Sequence, residues 1–491
     1  MRICVSLTEE TTAGVIERMG ALAGVADLFE IRADLVLDLD LLQILRARVK
    51  PMILTCRAES EGGRWIDGDP RRRLALLEGV KRGYDYVDIE HRSGLHDIVN
   101  EKAGRGLVLS YHDLEGMPAD LDTLYAEMSA RGPDVVKIAV TPRTVADVGR
   151  VMAFARRAAD TGGPPLVPIA MGTLGVPTRI LSGRHGAPFT YASAAAGAES
   201  APGQVPASLM AGLFRVGSVT SATRVFGILG SDVANSLSPV LHNRAFEARG
   251  IDAVYIPLQA DSLEGFLSAM PALELSGFSV TRPYKVDIVP HLQEVEEAAA
   301  VCGSVNTVLA QPDGTLRGST TDGIGLLGAL KKRVDVRGRA VVVLGAGGAA
   351  RSAALALANK GAAVTLLARD AKQAAIAARA VGCRHGALGD AARHPWDVLV
   401  NATPVGSGAL AGDTPLPLAL HRPGAVVLDM VYDPLETRLL REARAAGCTV
   451  VDGLEMLLAQ AVAQFETWTG VEAPVDVMRQ TAAYLAHAQA R

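Results

Sequence analysis

The chain has 491 residues, of which 49% are hydrophobic, 4% are aromatic and 50 are glycine. This length indicates about three domains, and the low aromatic content favours packed α/β layers over an aromatic-rich sandwich. The 49 basic and 53 acidic residues leave a net charge of −4, which argues against a surface for nucleic acid or another polyanion.

Cysteine usage and the N-terminus bear on the cellular compartment. The five scattered cysteines form no C-x-x-C pair, so the sequence indicates neither a disulfide framework nor a metal site and fits a reducing cytoplasm. The N-terminus lacks an apolar secretory segment, and no run reaches the ~20 apolar residues that span a bilayer. We therefore expect a soluble, cytoplasmic protein with no membrane partner, and the sequence leaves a homo-oligomer open.

The first part of the chain alternates short apolar runs with segments of helical length. The apolar runs are Ile3–Leu7, Leu28–Ile31, Met52–Thr55, Tyr86–Ile89, Leu107–Leu109, Val135–Val140, Leu166–Ala170 and Phe189–Ala192. Eight strands that alternate with helices such as Val145–Ala159 predict an N-terminal (β/α)8 TIM barrel rather than an open sheet.

Polar residues fall within or just after these strands, where a barrel gathers its catalytic groups. They are Ser6, Glu30, Arg32, Arg57, Glu90, His112, Asp113 and Lys137. Lys137 lies inside the apolar segment DVVKIAV, where burial disfavours the ammonium ion and favours the neutral amine. A neutral amine can attack a ketone to form an imine. A strand-end lysine that reaches solvent is the alternative.

Four further side chains complete the chemistry that an imine mechanism requires. His112 can transfer a proton, and Glu90 can orient its imidazole, although a lone histidine is more often a structural hydrogen-bonding group. Arg57 and Arg179 suit a substrate carboxylate through paired hydrogen bonds, although a surface salt bridge is the default role of an arginine.

Seven segments in this order resemble the type I 3-dehydroquinate dehydratase family over essentially the whole of residues 1–215. They are FEIRAD, TCRAESEGG, VDIE, SYHD, VVKIAV, GVPTRI and SAPGQ. The resemblance implies Lys137 as the Schiff-base lysine and His112 as the general acid and base, with Glu90 as its partner. It further implies a set of residues that hold the hydroxyl groups and carboxylate of the substrate ring: Ser6, Glu30, Arg32, Arg57, Arg179, Ser200 and Gln204. The loop Ser200–Gln204 is a plausible lid.

The second part of the chain starts anew at RVFGILG, after a small polar run. Successive segments then supply hydroxyl groups, one amide, Lys285 and Asp322, which suit a polyhydroxylated acid, although loop serines and threonines are usually turn or cap residues. A lysine and aspartate near a nicotinamide can relay a proton to the oxygen of a carbonyl group that receives hydride.

A dinucleotide fingerprint follows. In RAVVVLGAGGAARSAALA an apolar strand leads into Gly345, Gly347 and Ala350, and a helix rich in alanine comes after them. Small residues let the backbone turn tightly and approach a pyrophosphate, whose charge is met by the helix N-terminus. An ordinary strand-to-helix turn is the alternative.

The second part of the chain resembles the shikimate dehydrogenase family over about residues 224–490. The segments that carry this resemblance include LGAGGAAR, VNATPVG, LDMVYDP and DGLEMLLAQ. The resemblance implies a two-domain region with a Rossmann domain for NADP, and Lys285 and Asp322 as its catalytic pair. It places around shikimate Ser236, Ser238, Thr281, Asn306, Tyr432 and Gln460. It assigns to the cofactor Gly345, Ala346, Gly347, Gly348 and Ala349 at the pyrophosphate, with Thr403, Met430 and Gly453 near the nicotinamide half.

The second strand of the nucleotide unit ends in Leu367-Ala368-Arg369-Asp370. The strand tip lacks an acidic residue that would bind a ribose 2′-hydroxyl, and Arg369 can pair with a 2′-phosphate, so NADP(H) is favoured. Ala368 and Asp370 depart from the family pattern, and Asp370 could repel that phosphate. Ser279 and Thr320 depart too, which leaves tolerance for quinate open.

We therefore expect a barrel at 1–218, a linker at 219–223, a substrate domain at 224–330 completed by 453–491, and a Rossmann domain at 331–452. Together they predict a bifunctional enzyme that dehydrates 3-dehydroquinate to 3-dehydroshikimate and then reduces this product to shikimate, so that its partners are these small molecules. Two alternatives are an NAD-dependent catabolic quinate or shikimate dehydrogenase and a ligand-binding regulator without catalysis, since a fold alone does not establish activity.

Overall fold

The computed structural model describes residues 1–66, 70–101 and 106–489. Its strands form one eight-stranded sheet and two six-stranded sheets. None of the helices in these described ranges is both long and apolar enough to cross a bilayer.

The eight-stranded sheet is a nearly closed parallel barrel, which confirms the fold class predicted for this region. Its strands are β1 (Arg2–Leu7), β2 (Leu28–Arg32), β3 (Met52–Thr55), β4 (Tyr86–Glu90), β5 (Gly106–Asp113), β6 (Val135–Val140), β7 (Leu166–Ala170) and β8 (Phe189–Ser193). They neighbour one another in the order β7-β6-β5-β4-β3-β2-β1-β8. The apolar runs of the sequence differ from these strands mainly at their ends, and most clearly in β5, which continues through His112 and Asp113.

Seven α-helices accompany the barrel strands. They are α1 (Thr12–Leu22), α2 (Leu41–Arg46), α3 (Pro70–Arg82), α4 (Leu121–Ser129), α5 (Val145–Asp160), α6 (Val176–Leu181) and α7 (Ala207–Gly212). Their starts follow capping chemistry: Asp120 caps α4, and Thr144 with Asp147 forms a capping box on α5. A side-chain oxygen at each cap satisfies a backbone N–H that has no acceptor within the helix.

The alternation of β6 decides which side chains reach the interior of the barrel. Val136 and Ile138 pack outward in a core with residues of α4 and α5. Val135 and Ala139 lie in a second core, with Cys4 and Tyr191 from the neighbouring strands β1 and β8. Because successive side chains of a strand face opposite sides, Lys137 shares the inner face with Val135 and Ala139.

The remaining strands form the two six-stranded sheets. The first has the order β10-β9-β11-β13-β14-β12, and the second has the order β17-β16-β15-β18-β19-β20. The first sheet is built from β9 (Arg224–Gly230), β10 (Ala253–Gln259), β11 (Leu275–Val280), β12 (Glu294–Val295), β13 (Thr307–Ala310) and β14 (Leu316–Ser319). The second is built from β15 (Ala340–Leu344), β16 (Ala363–Ala368), β17 (Arg384–Ala387), β18 (Val398–Asn401), β19 (Val426–Asp429) and β20 (Thr449–Val451).

The second of these sheets is parallel throughout and reverses its strand order between β15 and β18. This is the topology of a Rossmann domain, in which ligands bind beyond the carboxyl ends of the strands at the point of reversal.

Nine described helices accompany the two six-stranded sheets. They are α8 (Ser238–Ala248), α9 (Leu263–Leu273), α10 (Glu297–Cys302), α11 (Asp322–Leu330), α12 (Gly348–Asn359), α13 (Ala371–Val381), α14 (Arg438–Ala445), α15 (Gly453–Thr469) and α16 (Val475–Gln489).

The chain divides into two compact units. One contains Met1–Phe226, Ser231–Ala234 and Asp252–Leu275, and the other contains Gly227–Gly230, Asn235–Ile251 and Ser276–Arg491. The first unit therefore holds the whole barrel, and the second holds the Rossmann sheet with α15 and α16. The finer domain boundaries drawn from the sequence stay predictions.

Two candidate active sites

The barrel encloses a buried lysine between two carboxylates. The Nζ atom of Lys137 lies 3.8 Å from Glu30 Oε1 and 3.8 Å from Asp88 Oδ2, and the residue is 5% exposed. Both distances exceed those of a normal hydrogen bond. Burial lowers the pKa of Lys137, and the two carboxylates only partly oppose that shift. The site therefore favours a neutral amine more than solvent does.

Glu30 is fixed by neighbours on both adjacent strands. Ser6 donates a hydrogen bond to its Oε2 at 2.6 Å, and Thr55 donates one to its Oε1 at 2.9 Å. Burial alone would raise the pKa of Glu30, but Lys137 and two arginines lower it below its ordinary value. Glu30 is thus held as a carboxylate that can accept hydrogen bonds from a polar ligand.

His112 receives its orienting contact from Glu61. The distance from His112 Nδ1 to Glu61 Oε2 is 2.8 Å. Burial lowers the pKa of His112 well below its ordinary value, and the cations of Arg57 and Lys137 lower it further. A neutral imidazole whose Nδ1 is bonded to a carboxylate keeps Nε2 available as a base.

Glu90, which the sequence pairs with His112, makes other contacts. Its carboxylate forms ion pairs with Arg72 and, at 3.2 Å, with Arg57, and it accepts a hydrogen bond from the backbone of Ala58 at 3.1 Å. The expected Glu90–His112 pair is therefore corrected to Glu61–His112. Glu90 instead neutralises arginines because β4 carries it beside the segment that follows β3.

Arg57 is fully committed within the barrel rather than free for a ligand carboxylate. It bonds Asp88 at 2.8 Å and the hydroxyl of Ser110 at 2.9 Å, besides its contact with Glu90. Arg32 forms a bidentate ion pair with Asp34, with N···O distances of 2.8 and 2.7 Å. These arginines shape the field of the site and rigidify its wall.

Arg179 has unused donors. It is 1% exposed, and within the described ranges its Nε and Nη1 atoms have no hydrogen-bond partner, while Nη2 donates to the carbonyl oxygen of Pro202 at 3.2 Å. Burial lowers its pKa to about 10. A buried guanidinium group without an anion is costly, so this geometry suits an incoming carboxylate.

The loop that carries Pro202 contains two of the expected ligand residues. Gln204 Oε1 accepts from the backbone of Ser200 at 2.8 Å, and Gln204 Nε2 donates to the Ser200 hydroxyl at 2.9 Å. The structure thus brings Arg179 of α6 beside the loop after β8 that carries Ser200 and Gln204.

The second site centres on Lys285 and Asp322. Lys285 Nζ lies 2.5 Å from Asp322 Oδ2, and Asn306 donates to Asp322 Oδ1 at 2.8 Å. Asp322 begins α11 and is 1% exposed. Unlike Lys137, Lys285 therefore forms a direct, charge-assisted hydrogen bond.

Hydroxyl and amide groups surround this ion pair. Gln464 of α15 accepts a hydrogen bond from Ser279 at 3.2 Å and donates to Thr307 at 3.1 Å, so it connects β11 and β13. The hydroxyl groups of Thr320 and Ser352 lie 3.0 Å apart. Ser279 and Thr320, the two positions that depart from the family pattern beside the ring, therefore both bond to protein side chains.

The other residues expected around shikimate fall into three places. Ser236 accepts from the backbone of Ser238 at 3.3 Å and shares a hydrogen bond with Tyr432. Thr281 donates its backbone N–H to the carbonyl of Leu229 at 2.8 Å. Gln460 lies on α15 beside Gly325 of α11, where a Cβ on the glycine would come within 3.1 Å of Gln460 Cβ.

The nucleotide turn has the geometry that a pyrophosphate needs. Gly345 has φ +119°, a conformation that favours glycine, and Gly347 is the N-cap of α12. A Cβ on Gly348 would overlap Ser304 Oγ, so any larger residue there requires the Ser304 side chain to move. Helix α12 starts at Gly348 and Ala349. The backbone N–H groups of its first turn have no acceptor within the helix, so they can bind an anion.

Arg369 stands at the tip of β16 and lines a cavity of about 680 Å³ together with Leu388, Pro417 and Leu420. Asp370 instead caps α13, accepting from the backbone of Lys372 at 2.8 Å. The carboxylate that could repel a 2′-phosphate is thus engaged with a helix end, and the residues present fit NADP.

At the same edge of the Rossmann sheet, Asn401 organises the segment near the expected nicotinamide half. Its carbonyl oxygen Oδ1 accepts from Thr403 Oγ1 at 2.7 Å, and its backbone oxygen accepts from Met430 N at 3.0 Å. Gly453 starts α15 and approaches Met430 closely, with 2.7 Å between a Cβ built on the glycine and the Met430 oxygen. The structure therefore brings Thr403, Met430 and Gly453 together.

Comparisons with known proteins match both parts of the chain. Residues 3–220 match the family model of type I 3-dehydroquinase, residues 228–308 that of the shikimate dehydrogenase substrate binding domain, and residues 453–483 that of the shikimate 5′-dehydrogenase C-terminal domain. A bifunctional 3-dehydroquinate dehydratase/shikimate dehydrogenase of Arabidopsis thaliana is 34% identical over 483 residues, which cover 93% of this chain and 79% of the relative.

Two relatives cover the second half alone. A shikimate dehydrogenase (NADP(+)) of Pyrococcus abyssi is 41% identical over 259 residues, 52% of this chain and 96% of the relative. The crystal structure of shikimate 5-dehydrogenase from Thermus thermophilus, in complex with NADP(H) and shikimate, has a TM-score of 0.50 and 37% identity, and covers 53% of this chain and 99% of that one.

Proposed function

The chain belongs to the family of bifunctional 3-dehydroquinate dehydratase/shikimate dehydrogenases, and from this premise we propose that Lys137 and Lys285 carry its two reactions. The enzyme dehydrates 3-dehydroquinate and reduces 3-dehydroshikimate, with NADP as the cofactor of the second step. The observation that carries the assignment of residues is the contrast between a lysine 3.8 Å from two carboxylates and a lysine 2.5 Å from one.

In the dehydratase, the neutral amine of Lys137 adds to the C3 ketone of 3-dehydroquinate. Uptake of one proton from solvent and loss of one water leave a protonated imine, whose positive charge makes the C2 proton acidic, and hydrolysis later returns the proton that was taken up. His112 removes that proton through Nε2 because Glu61 holds Nδ1. His112 then gives the proton to the departing C1 hydroxyl, which leaves as water.

Hydrolysis of the imine consumes one water, frees Lys137 and releases 3-dehydroshikimate, so the net change is the loss of one water. Arg179 holds the substrate carboxylate because its Nε and Nη1 donors lack protein partners among the described residues. Ser6 and Glu30 bind ring hydroxyl groups. Arg32 and Arg57 hold the carboxylates that line the site in place through ion pairs. The loop Ser200–Gln204 covers the ring and limits access of water while the imine exists.

In the reductase, NADPH would, when bound, supply a hydride for the C3 carbonyl of 3-dehydroshikimate. Lys285 donates a proton to the carbonyl oxygen, and Asp322 orients Lys285 through their direct hydrogen bond. Ser236, Ser238, Thr281, Asn306, Tyr432 and Gln460 hold the ring. The cofactor is held by Gly345, Ala346, Gly347, Gly348 and Ala349 at the pyrophosphate, by Arg369 at the 2′-phosphate, and by Thr403, Met430 and Gly453 at the nicotinamide half.

The cytoplasmic location expected from the cysteines stays a prediction, as does the oligomeric state. We test the function with purified protein, 3-dehydroquinate and NADPH, following enone absorbance and NADPH loss in one cuvette. We expect the enone absorbance to appear first. The NADPH absorbance should then fall as the enone product is reduced. Enone formation without NADPH loss would contradict the reductase assignment, and parallel assays with NADH and with quinate measure how strict each preference is.

A further inference from the structure

An aromatic ring lies against the amine of Lys137. The Nζ atom is 4.0 Å from the centroid of the Tyr191 ring, and Tyr191 is 2% exposed on β8. A cation over the face of an aromatic ring is attracted by the ring quadrupole, and the attraction is larger where water is excluded. Neither carboxylate near Lys137 comes within hydrogen-bond distance, so the ring is a principal neighbour of this nitrogen.

The ring is held in place by its own strand and by the next. Phe189, two residues earlier on β8, packs against it edge to face, with 5.6 Å between centroids and 78° between planes. Tyr191 also pairs with Cys4 of β1, which is fully buried. Because the core around it is closely packed, the ring keeps its face toward Lys137.

The ring, rather than the hydroxyl group, faces the positive charge. Within the described ranges the Tyr191 hydroxyl has no hydrogen-bond partner, so its removal breaks no protein hydrogen bond. Burial raises the pKa of Tyr191 well above its ordinary value, so the phenol stays neutral. Tyr191 therefore does not act as a negatively charged counter-ion.

We infer that Tyr191 is a positioning residue for Lys137, and that its ring face stabilises the positive charge on Nζ in the ammonium ion and in the imine formed with substrate. The inference rests on the proposed function of Lys137. When the neutral amine adds to the ketone, one proton is taken up and one water leaves, so the imine nitrogen carries one proton and a positive charge. A neutral ring supports that charge without trapping the free amine in a salt bridge.

Several charged or titratable groups face Lys137 and set its titration jointly. They are Glu30 on β2, Asp88 on β4, Arg57 after β3, His112 on β5, Cys4 on β1 and Tyr191 on β8. Substitution of Tyr191 by an uncharged residue leaves the charged members of this group in place. A change in the titration of Lys137 would then report the ring.

The experiment measures imine formation on the full-length enzyme. The proteins compared are wild type, Tyr191→Phe, Tyr191→Leu and Tyr191→Met. Each is mixed with 3-dehydroquinate over a pH series, the imine is reduced with borohydride, and the adduct is quantified by mass spectrometry. Tyr191→Met fills more of the space should Tyr191→Leu fold poorly. Phe154→Leu, which truncates a buried ring of α5 in the outer core, controls for loss of stability.

Without the ring the ammonium is less stable, so the pKa of Lys137 falls and the midpoint of imine formation moves to lower pH. We expect a shift of about one pH unit and about tenfold less trapped imine in Tyr191→Leu and Tyr191→Met. Tyr191→Phe and Phe154→Leu should keep the wild-type midpoint.

A wild-type midpoint and yield in both ring-deleted variants would overturn the inference. A Tyr191→Phe variant that shifts as much as Tyr191→Leu would also overturn it, because the hydroxyl would then be responsible. If wild type forms no adduct at any pH, the imine of the proposed function fails, and the inference falls with it. The wild-type arm thus separates the two failures.

Discussion

The two proposed active sites each contain a lysine, but they surround it differently. Lys137 sits in the barrel with its nitrogen 3.8 Å from two carboxylates and its side chain 7% exposed. Lys285 bonds Asp322 directly at 2.5 Å, and its side chain is 16% exposed. A carboxylate in direct contact stabilises an ammonium ion, whereas carboxylates beyond hydrogen-bond reach in a buried site leave the neutral amine accessible.

The difference fits the roles that we propose for the two nitrogen atoms. A nucleophile needs a free electron pair when the substrate arrives, and a proton donor needs its proton until the carbonyl oxygen becomes negative. The distance from the lysine to its nearest carboxylate therefore separates the two roles within one chain.

The strongest test of this contrast removes the nucleophile. Lys137→Met keeps the length of the side chain but cannot form an imine, so we expect dehydratase kcat to fall about 10⁴-fold or more. The reductase assay with 3-dehydroshikimate and NADPH is the internal control and should be unchanged. Retained dehydratase turnover in this variant would show that the amine is not the nucleophile.

The reciprocal test removes the proton donor. Lys285→Met should lower the reductase kcat with 3-dehydroshikimate about 10³-fold because the developing alkoxide loses its acid. Dehydratase activity of the same preparation, followed by enone absorbance, should stay at the wild-type level. Equal loss of both activities would indicate misfolding or a shared site rather than two separate lysines.

A smaller effect is expected from the residue that orients His112. Burial raises the pKa of Glu61 to about 7, so this carboxyl group holds a proton below that pH and no longer offers Nδ1 of His112 a negatively charged acceptor. Dehydratase kcat/KM should rise as the pH rises through about 7 in wild type. Glu61→Gln cannot ionise, so this limb should vanish and the rate near pH 8 should fall about 30-fold.

Glu90→Gln is the matched comparison, because Glu90 contacts Arg57 and Arg72 instead of His112. It should keep the rise near pH 7, whatever its effect on stability. If Glu90→Gln lost that rise and Glu61→Gln kept it, the assignment drawn from the structure would be reversed.

The smallest effect concerns the cofactor of the reductase. Arg369→Ala should weaken NADPH binding about tenfold and leave NADH binding unchanged, since only NADPH carries the 2′-phosphate. Titration of nicotinamide fluorescence measures both dissociation constants without turnover. Arg379→Ala, an arginine in the last turn of α13, is the control. Equal weakening of both cofactors would contradict the role of Arg369.

Much of the fold could be predicted because the barrel strands are continuous apolar runs. Val135–Val140 and Leu166–Ala170 match the observed strands at both ends. The Rossmann turn was equally readable, since a buried strand, small residues and a helix follow one another. Apolar periodicity and glycine spacing are local properties, and the structure confirms what they predict.

The partner of His112 could not be read in the same way. Glu61 lies in a short turn after β3, and only the folded barrel brings it within 2.8 Å of His112. Asp88 did have a signal, because it stands two residues before Glu90 on β4 and so faces the same side of the strand. Tyr191 had none, since an aromatic residue in a strand is usually only core.

The most direct test of the central contrast asks which lysine becomes covalently bound to substrate. Full-length enzyme is treated with borohydride in the presence of 3-dehydroquinate, digested, and mapped by mass spectrometry. We predict one reduced adduct, on the peptide that contains Lys137, and none on the peptide that contains Lys285. An adduct on Lys285, or none on Lys137, would contradict the account.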